Sequence, residues 1–280
     1  MQVIQILKKH GFYFKKAFGQ NFLTDEGLLD EIVDLSKISD MDDILEIGPG
    51  AGTLTRALCK KAKSVTCYEI DQNLKPVLEE VLQDYDNYKV IFKDIMKVSM
   101  DEIENAFPNG YYVVANLPYY ITTPILMRFI EDAKKVKGLI LTVQKEVAER
   151  LSAKAGSKDY GAITAGVNFV GEGEIVKILP RDLFTPAPNV DSAVVKISVN
   201  FEKFKGTSVV NYRETVKNAF AQRRKTLCNN LMNGFKLSRD TAERILEKLG
   251  VNKDVRGEVL SAEKFVELTH ILQEEKVFSY

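Results

Sequence analysis

Histidine and cysteine are scarce in this chain, whose 280 residues hold 2 histidines and 3 cysteines. His10 and His270 stand near opposite ends and share no motif. Neither a metal site nor a Ser/His/Asp triad is therefore expected. Cys59, Cys67 and Cys228 are odd in number and lack metal-ligand spacing, so no disulfide framework is implied. Cys59 falls in an expected helix and Cys67 in an expected strand, and both read as core thiols. Long apolar runs are also missing. None approaches the roughly 20 residues of a membrane helix, and Met1 to His10 lacks the apolar core and small-residue cleavage site of a secretory signal. A cytoplasmic protein with no membrane partner is expected. Internal repeats and low-complexity tracts are absent too. Net charge is +0 at pH 7, from 39 basic and 39 acidic side chains, which on its face argues against a nucleic-acid partner.

What is present changes that reading. Apolar residues make up 45% of the chain, enough for a real core. Between residues 43 and 143 strand and helix patterns alternate. Short apolar strands are expected at 44–47, 65–70, 88–92, 111–115 and 139–143. Helices are expected at 53–63, at 73–83 with Asn73 as a possible N-cap, and at 124–133 with Pro124 in the first turn, where proline is tolerated. Repeated βα units imply a doubly wound, mostly parallel sheet with helices on both faces. The segment 156–173 is glycine-rich. After it, 174–179 and 192–199 are strand-like and would bring the sheet to seven strands, one of them antiparallel. Residues 201–207 read as a linker, and from Asn211 onward the pattern is helical. The expected organisation is a catalytic domain over 1–203, with a basic N-terminal arm, and a small all-helical domain over 208–280.

Charge is uneven along the chain. From 211 to 240 the bases Arg213, Lys217, Arg223, Arg224, Lys225, Lys236 and Arg239 face only Glu214 and Asp240. The first 25 residues hold Lys8, Lys9, Lys15 and Lys16 against Asp25. A neutral protein with two basic faces can hold a phosphate backbone, although Arg223-Arg224-Lys225 can equally be an ordinary solvated face.

The strand at 44–47 runs into Gly48-Pro49-Gly50-Ala51-Gly52. Glycine lets backbone turn tightly and approach a ligand. A strand followed by G-x-G serves dinucleotide folds as well. Here Glu46 directly precedes the loop, the spacing is E-x-G-x-G-x-G, and no lysine or arginine lies in it. Those details favour S-adenosylmethionine. Acids then stand at successive strand ends. Glu69 is placed to receive ribose hydroxyls, and Asp94 to accept from an adenine amino group while Ile95 covers the ring. Each acid alone could be a helix N-cap. The fourth strand ends in Asn116-Leu117-Pro118-Tyr119. Asn offers an acceptor oxygen and donor hydrogens. Pro has no N–H, which lets the carbonyls beside it act as acceptors. Tyr supplies a face for stacking. That set suits an exocyclic amine on a planar heterocycle, such as adenine N6, whereas an NAD enzyme would have no use for it.

These motifs resemble the ribosomal RNA adenine dimethyltransferase family, and most its small-subunit branch. The resemblance runs from about Phe14 to about Gly257. It includes Phe18-Gly19-Gln20-Asn21-Phe22-Leu23, Gln144-Lys145-Glu146-Val147-Ala148, the stretch from Phe184-Thr185-Pro186 to Val195, and Phe220 to Leu227. It implies a Rossmann-like class I methyltransferase that uses S-adenosylmethionine without a metal. By its pattern Asn21 and Leu23 touch the cofactor together with Gly48, Gly50, Glu69, Ile70, Asp94, Ile95 and Asn116. Asn116, Leu117, Pro118 and Tyr119 carry the chemistry, and Phe184 closes on the other face of the base. Lys15, Lys16, Arg223, Arg224 and Lys225 contact RNA. The implied substrate is 16S rRNA in an immature small ribosomal subunit, dimethylated at N6 of two adjacent adenosines near its 3′ end by a monomeric enzyme that also acts in subunit assembly. Two alternatives stay open. One is a resistance methyltransferase of large-subunit rRNA, although Gly19 and Leu117 favour the small-subunit branch. The other is an assembly factor whose methylation is secondary. Tyr120 departs from the family, part of which has Asn there.

Overall fold

The structure, a computed structural model, describes residues 3–12 and 21–278. Lys15 and Lys16 lie outside the described residues, as do Phe18, Gly19 and Gln20. Contacts gather the chain into two compact units. Residues 1–148 with 174–199 form the first, and 149–173 with 200–280 form the second.

The first unit begins with α1 (Val3–Lys9), β1 (Phe22–Leu23) and α2 (Glu26–Leu35). Strands and helices then alternate as β2 (Asp43–Ile47), α3 (Thr53–Cys59), β3 (Ser64–Glu69), α4 (Lys75–Val81) and β4 (Tyr88–Phe92). They continue as α5 (Met100–Asn105), β5 (Tyr111–Asn116), α6 (Tyr119–Asp132) and β6 (Val136–Gln144). Helix α7 (Lys145–Leu151) leads into the second unit, which holds α8 (Ala162–Val170). Strands β7 (Gly171–Leu179), β8 (Phe184–Thr185) and β9 (Ser192–Val199) follow in the sheets. The second unit then continues with α9 (Val209–Ala219), α10 (Leu227–Phe235), α11 (Arg239–Lys248) and α12 (Ala262–Glu274).

Seven strands form one sheet in the order β4-β3-β2-β5-β6-β9-β7. The pairs among β2 to β6 are parallel, and β9 runs antiparallel to β6. Every residue of β2 is buried, as expected of a central parallel strand covered on both faces. The chain winds outward from β2 through β3 to β4, then restarts on the other side of β2 with β5. That reversal opens a crevice at the carboxyl ends of β2 and β5, where doubly wound sheets bind ligands. Beside it, β1 and β8 form a small antiparallel pair in which Leu23 lies opposite Phe184. Buried Leu29, Ile32, Leu54 and Leu58 from α2 and α3 pack with Ile44, Val65 and Val114 of the sheet. Each such side chain contributes about 1.5–3 kcal/mol by leaving water.

Several elements differ from the sequence expectation. The N-terminus is more than a basic arm, because α1 buries Val3, Ile6 and Leu7 against Leu74, Val77 and Leu78 near α4. Lys9 and His10 both reach Glu80, at 2.8 Å. The segment expected to begin at Asn73 starts instead as a 3-10 turn capped by Asp71, whose Oδ1 accepts the Asn73 N–H at 3.1 Å. Helix α6 starts at Tyr119, so Pro124 lies inside it and not in its first turn. The missing N–H deprives the Tyr120 carbonyl of its helical donor, on the exposed side of the helix where water can replace it. The glycine-rich segment holds α8, with Ala165, Val167, Phe169 and Val170 buried. Phe169 stacks on Tyr212 at 4.1 Å between centroids, and the Tyr212 hydroxyl donates to the Ala165 carbonyl at 2.9 Å. These contacts make 149–173 part of the helical unit, which therefore exceeds the expected 208–280. Residues 201–207 are turns and do not hang free, because Phe204 stacks on Phe169 and Lys203 reaches the Asn168 carbonyl at 3.0 Å.

Candidate active site

One cavity sits at the switch point, within the first unit, and the strand ends build it. Past β2 the chain turns through Gly48 and Gly50, both at positive φ. A Cβ at Gly48 would meet nothing within 4 Å, whereas one at Gly50 would stand 2.7 Å from the Phe22 ring. Glycine at 50 is thus demanded by Phe22, and glycine at 48 leaves open space. Past β3, Glu69 is buried, and its carboxylate takes three backbone donors. Oε2 accepts the Gly50 N–H at 3.1 Å, and Oε1 accepts those of Ile70 and Asp71 at 2.8 Å. The residue expected to hold a ligand therefore also fixes the glycine loop. Burial pushes its carboxyl above the ordinary range, against the pull of those N–H groups.

Past β4, Asp94 caps a 3-10 turn by accepting the Met96 N–H at 3.0 Å, while Ile95 is buried on the cavity wall. The guanidinium of Arg128, on α6, donates to the carbonyls of Ile95 and Val98. It ties this turn to the helix that begins at Tyr119. Past β5, Asn116 Nδ2 donates to the Asn21 carbonyl at 3.2 Å, which leaves Oδ1 as the free end of the amide. The Leu117 carbonyl accepts no hydrogen bond among the described residues. Pro118 is the N-cap of α6. The Tyr119 hydroxyl pairs with Ser192 Oγ at 2.7 Å, which fixes the ring.

Every expected cofactor or catalytic residue borders this cavity: Asn21 and Leu23 on the returning N-terminal segment, the glycines, Glu69 with Ile70, Asp94 with Ile95, the turn 116–119, and Phe184. Ile70 is largely exposed, whereas Phe184 is buried beside Leu23 and Leu54. Tyr120 is 66% exposed at the rim.

Sequence reasoning passed over Phe22, Thr53 and Arg128. Phe22 sits between two named residues of the same motif. Thr53 Oγ1 donates to the Leu23 carbonyl at 2.8 Å and anchors that segment to the start of α3. Nothing local in the sequence marks Arg128.

The expected basic helix is corrected. Arg223, Arg224 and Lys225 are exposed, but they lie in a turn between α9 and α10. Thr226 caps α10 by accepting the Asn229 N–H at 3.3 Å, so the helix cannot begin earlier. Asn230 Nδ2 clasps the turn through the Ala219 and Gln222 carbonyls, at 2.7 and 3.2 Å. Arg223 is partly engaged, donating to the Lys158 carbonyl and lying 3.7 Å from Glu258.

Glu46, below the loop, is 1% exposed, and Cys67 Sγ donates to it at 3.4 Å. Burial pushes its carboxyl up from 4.5 to about 7, and the nearby Glu69 charge adds to the rise. Between those pH values the folded state keeps a proton that the unfolded state releases, so stability falls as pH rises through the window. The loss is on the order of 3 kcal/mol and is complete above the window. Glu46→Gln should remove it. In urea unfolding, the stability gap between variant and wild type should then shift in the variant's favour from pH 4.5 to pH 8. A gap independent of pH would refute the assignment.

Among the described residues no helix is long and apolar enough to cross a membrane, and no cluster of His, Cys, Asp or Glu could hold a metal ion. The three cysteines are free and buried.

A switch-point cavity with a glycine loop on one side and an Asn-Leu-Pro-Tyr turn on the other, in a sheet with a late antiparallel strand, defines a Rossmann-like methyltransferase. The comparisons with known proteins narrow this. A family model described as ribosomal RNA adenine dimethylase matches residues 11–274. The chain belongs to that family. It is 44% identical to a ribosomal RNA small subunit methyltransferase A of Bacillus cytotoxicus, over 97% of this chain and 96% of that one. A protein of the same name from Bacillus cereus is 45% identical, over 95% and 94%. Among solved structures, a dimethyladenosine transferase from Plasmodium falciparum superposes with a TM-score of 0.77 at 27% identity, over 91% of this chain and 98% of that one. The 23S rRNA methyltransferase ErmE superposes at 0.70 with 26% identity, over 90% and 100%.

Proposed function

We propose that the chain transfers methyl groups from S-adenosylmethionine to N6 of two adjacent adenosines near the 3′ end of 16S rRNA, in an immature small ribosomal subunit. The observation that carries this reading is the Asn116–Tyr119 turn opening on the same cavity as the glycine loop and Glu69. The small-subunit relatives at 44–45% identity support the choice of subunit over the large-subunit alternative.

The residues present fit the cofactor. Open space at Gly48 admits its backbone-hugging part, Glu69 offers acceptor capacity beside the loop, and Ile95 and Phe22 give apolar walls. When bound it supplies an electrophilic sulfonium methyl. Glu69 has about four lone-pair positions and three are in use, so Oε2 can accept one ribose hydroxyl. Asp94 keeps Oδ1 on the cap, and Oδ2, which lies 3.9 Å from the exposed Lys97 ammonium, can accept from the adenine amine.

The difficulty of the reaction is the nucleophile, because the N6 lone pair is delocalised into the base. Asn116 Oδ1 and the Leu117 carbonyl accept from the amine and favour a tetrahedral nitrogen with a localised pair. Both acceptors are held in place beforehand, so catalysis is positioning with electrostatic stabilisation. Tyr119, pinned by Ser192, stacks on the base, and Phe184 approaches from the β8 side. A paired adenine has to leave its helix to enter, so the substrate is looped out or unpaired. Arg224 and Lys225 in the α9–α10 turn contact the RNA backbone together with Arg223, as do Lys15 and Lys16. The enzyme acts as a monomer and takes part in subunit assembly.

Purified protein incubated with labelled methyl donor and each ribosomal subunit from an unmodified strain should label N6 of two adjacent adenosines in the small subunit. Label mapped to large-subunit RNA instead would overturn the reading.

A further inference from the structure

A second cleft lies in the first unit at the same edge of the sheet, one strand over from the base pocket. Gln144, Lys145 and Glu146 form one wall, where β6 ends and α7 begins. Arg181, Asn189 and Asp191 form the other, on the loop that also carries Phe184. We propose that this cleft is a ribonucleotide subsite, holding the phosphate and ribose of the nucleotide next to the target adenosine. The proposal rests on the reading of the main site given above.

Asn116 pairs with Thr142 across β5 and β6, and Gln144 stands two residues further along β6. With strands about 4.8 Å apart and a rise of about 3.3 Å per residue, the cleft begins roughly 8 Å from the catalytic turn. That is the separation of neighbouring nucleotides, not of a remote site.

The Lys145 N–H donates to the Asp191 carbonyl at 3.0 Å, and the Arg181 N–H donates to Asp191 Oδ1 at 3.1 Å. Arg181 Nη1 lies 3.5 Å from the Asn189 carbonyl. The next residue, Ser192, holds the Tyr119 hydroxyl. One braced segment therefore walls both the cleft and the base pocket.

Lys145 and Arg181 are exposed, and neither makes an ion pair among the described residues. The nearby Lys177, by contrast, is paired with Glu31. Two unpaired cations facing one cleft suit a phosphodiester. The same cleft offers carboxylates at Glu146 and Asp191 and amides at Gln144 and Asn189. A site for phosphate alone would gain nothing from the acids, whereas a ribose 2′-hydroxyl is a donor that they can accept. Phosphate acceptors and ribose donors together make one unit of RNA. An enzyme that modifies two adjacent adenosines in turn also needs a place for the one outside the base pocket.

The test is the double variant Lys145→Gln/Arg181→Gln, in which both side chains are exposed, so folding is not at issue. Cofactor affinity by calorimetry should stay within twofold of wild type. KM for unmethylated small subunits should rise about tenfold, and the dependence of log KM on log salt should flatten by about one, the loss of one phosphate contact. A control pair, Lys61→Gln/Lys75→Gln, removes as much charge from exposed ion pairs elsewhere and should leave KM unchanged. A KM and salt slope within twofold of wild type would overturn the subsite, and so would an equal loss in the control. If wild-type protein fails to methylate small subunits, the reading of the main site falls and takes the subsite with it.

Discussion

Asn116→Ala should lower single-turnover methyl transfer a hundredfold or more while the protein folds and still associates with small subunits. The side chain stands at the end of β5 with its Nδ2 held by the Asn21 carbonyl at 3.2 Å, so Oδ1 is fixed before any substrate arrives. Fixed acceptors cost no reorganisation at the moment of reaction, and losing one typically costs on the order of a hundredfold to a thousandfold in rate. The lost hydrogen bond to Asn21 is worth only about 1 kcal/mol. A modest drop in thermal midpoint is therefore expected, far too small to explain the rate. Donor should be saturating, because Asn116 also borders the cofactor space. Tyr119→Ala should be milder, since stacking contributes roughly 1–3 kcal/mol and acts partly on base binding. If Asn116→Ala turns over within a few-fold of wild type, the Asn-Leu-Pro-Tyr turn is structural and the mechanism fails.

The contrast between Asn116 and Arg128 shows why some of the site was legible in the sequence and some was not. Glu69, Asp94 and Asn116 end consecutive parallel strands, and in a doubly wound sheet those ends converge by topology alone. Strand patterns with three polar residues placed at their ends were enough to collect that side of the cavity, whereas Asn21, Leu23 and Phe184 were named only through the family resemblance. Arg128 lies mid-helix, and its carbonyl partners at Ile95 and Val98 are some thirty residues away in sequence. Only the packing of α6 on the 3-10 turn reveals it.

Helix starts were misplaced for a related reason. Asp71 rather than Asn73 caps the turn before α4, because β3 ends at Glu69 and the chain needs an acceptor at once. The residues Arg223 to Lys225 read as helical by composition, yet Thr226 supplies a stronger start just beyond them. Helix α8 was hidden by glycines at 161, 166, 171 and 173; only Gly166 lies inside the helix, where its low helix propensity is outweighed by burial of Phe169 and Val170.

Removing Glu69 should have the next largest effect, a loss of about 1–3 kcal/mol in cofactor affinity, or roughly 5–150-fold. The carboxylate would lose a charge-assisted bond to a ribose hydroxyl. It would also release the N–H groups of Gly50, Ile70 and Asp71, two of which flank the cavity. Those two consequences have to be separated, because a loosened glycine loop would weaken any ligand. Three ligands do this. S-adenosylhomocysteine and its analogues lacking the 2′- or the 3′-hydroxyl share every contact except the one in question. Wild type should bind at least one deoxy analogue more weakly than the parent, and Glu69→Ala should bind the parent and that analogue alike. If the penalty for removing a hydroxyl survives in the variant, Glu69 serves the loop and not the ribose. The single free position on Oε2 sharpens the expectation further, since one hydroxyl should matter more than the other. Equal penalties for both in wild type would mean that the carboxylate gives up a backbone donor when the cofactor binds.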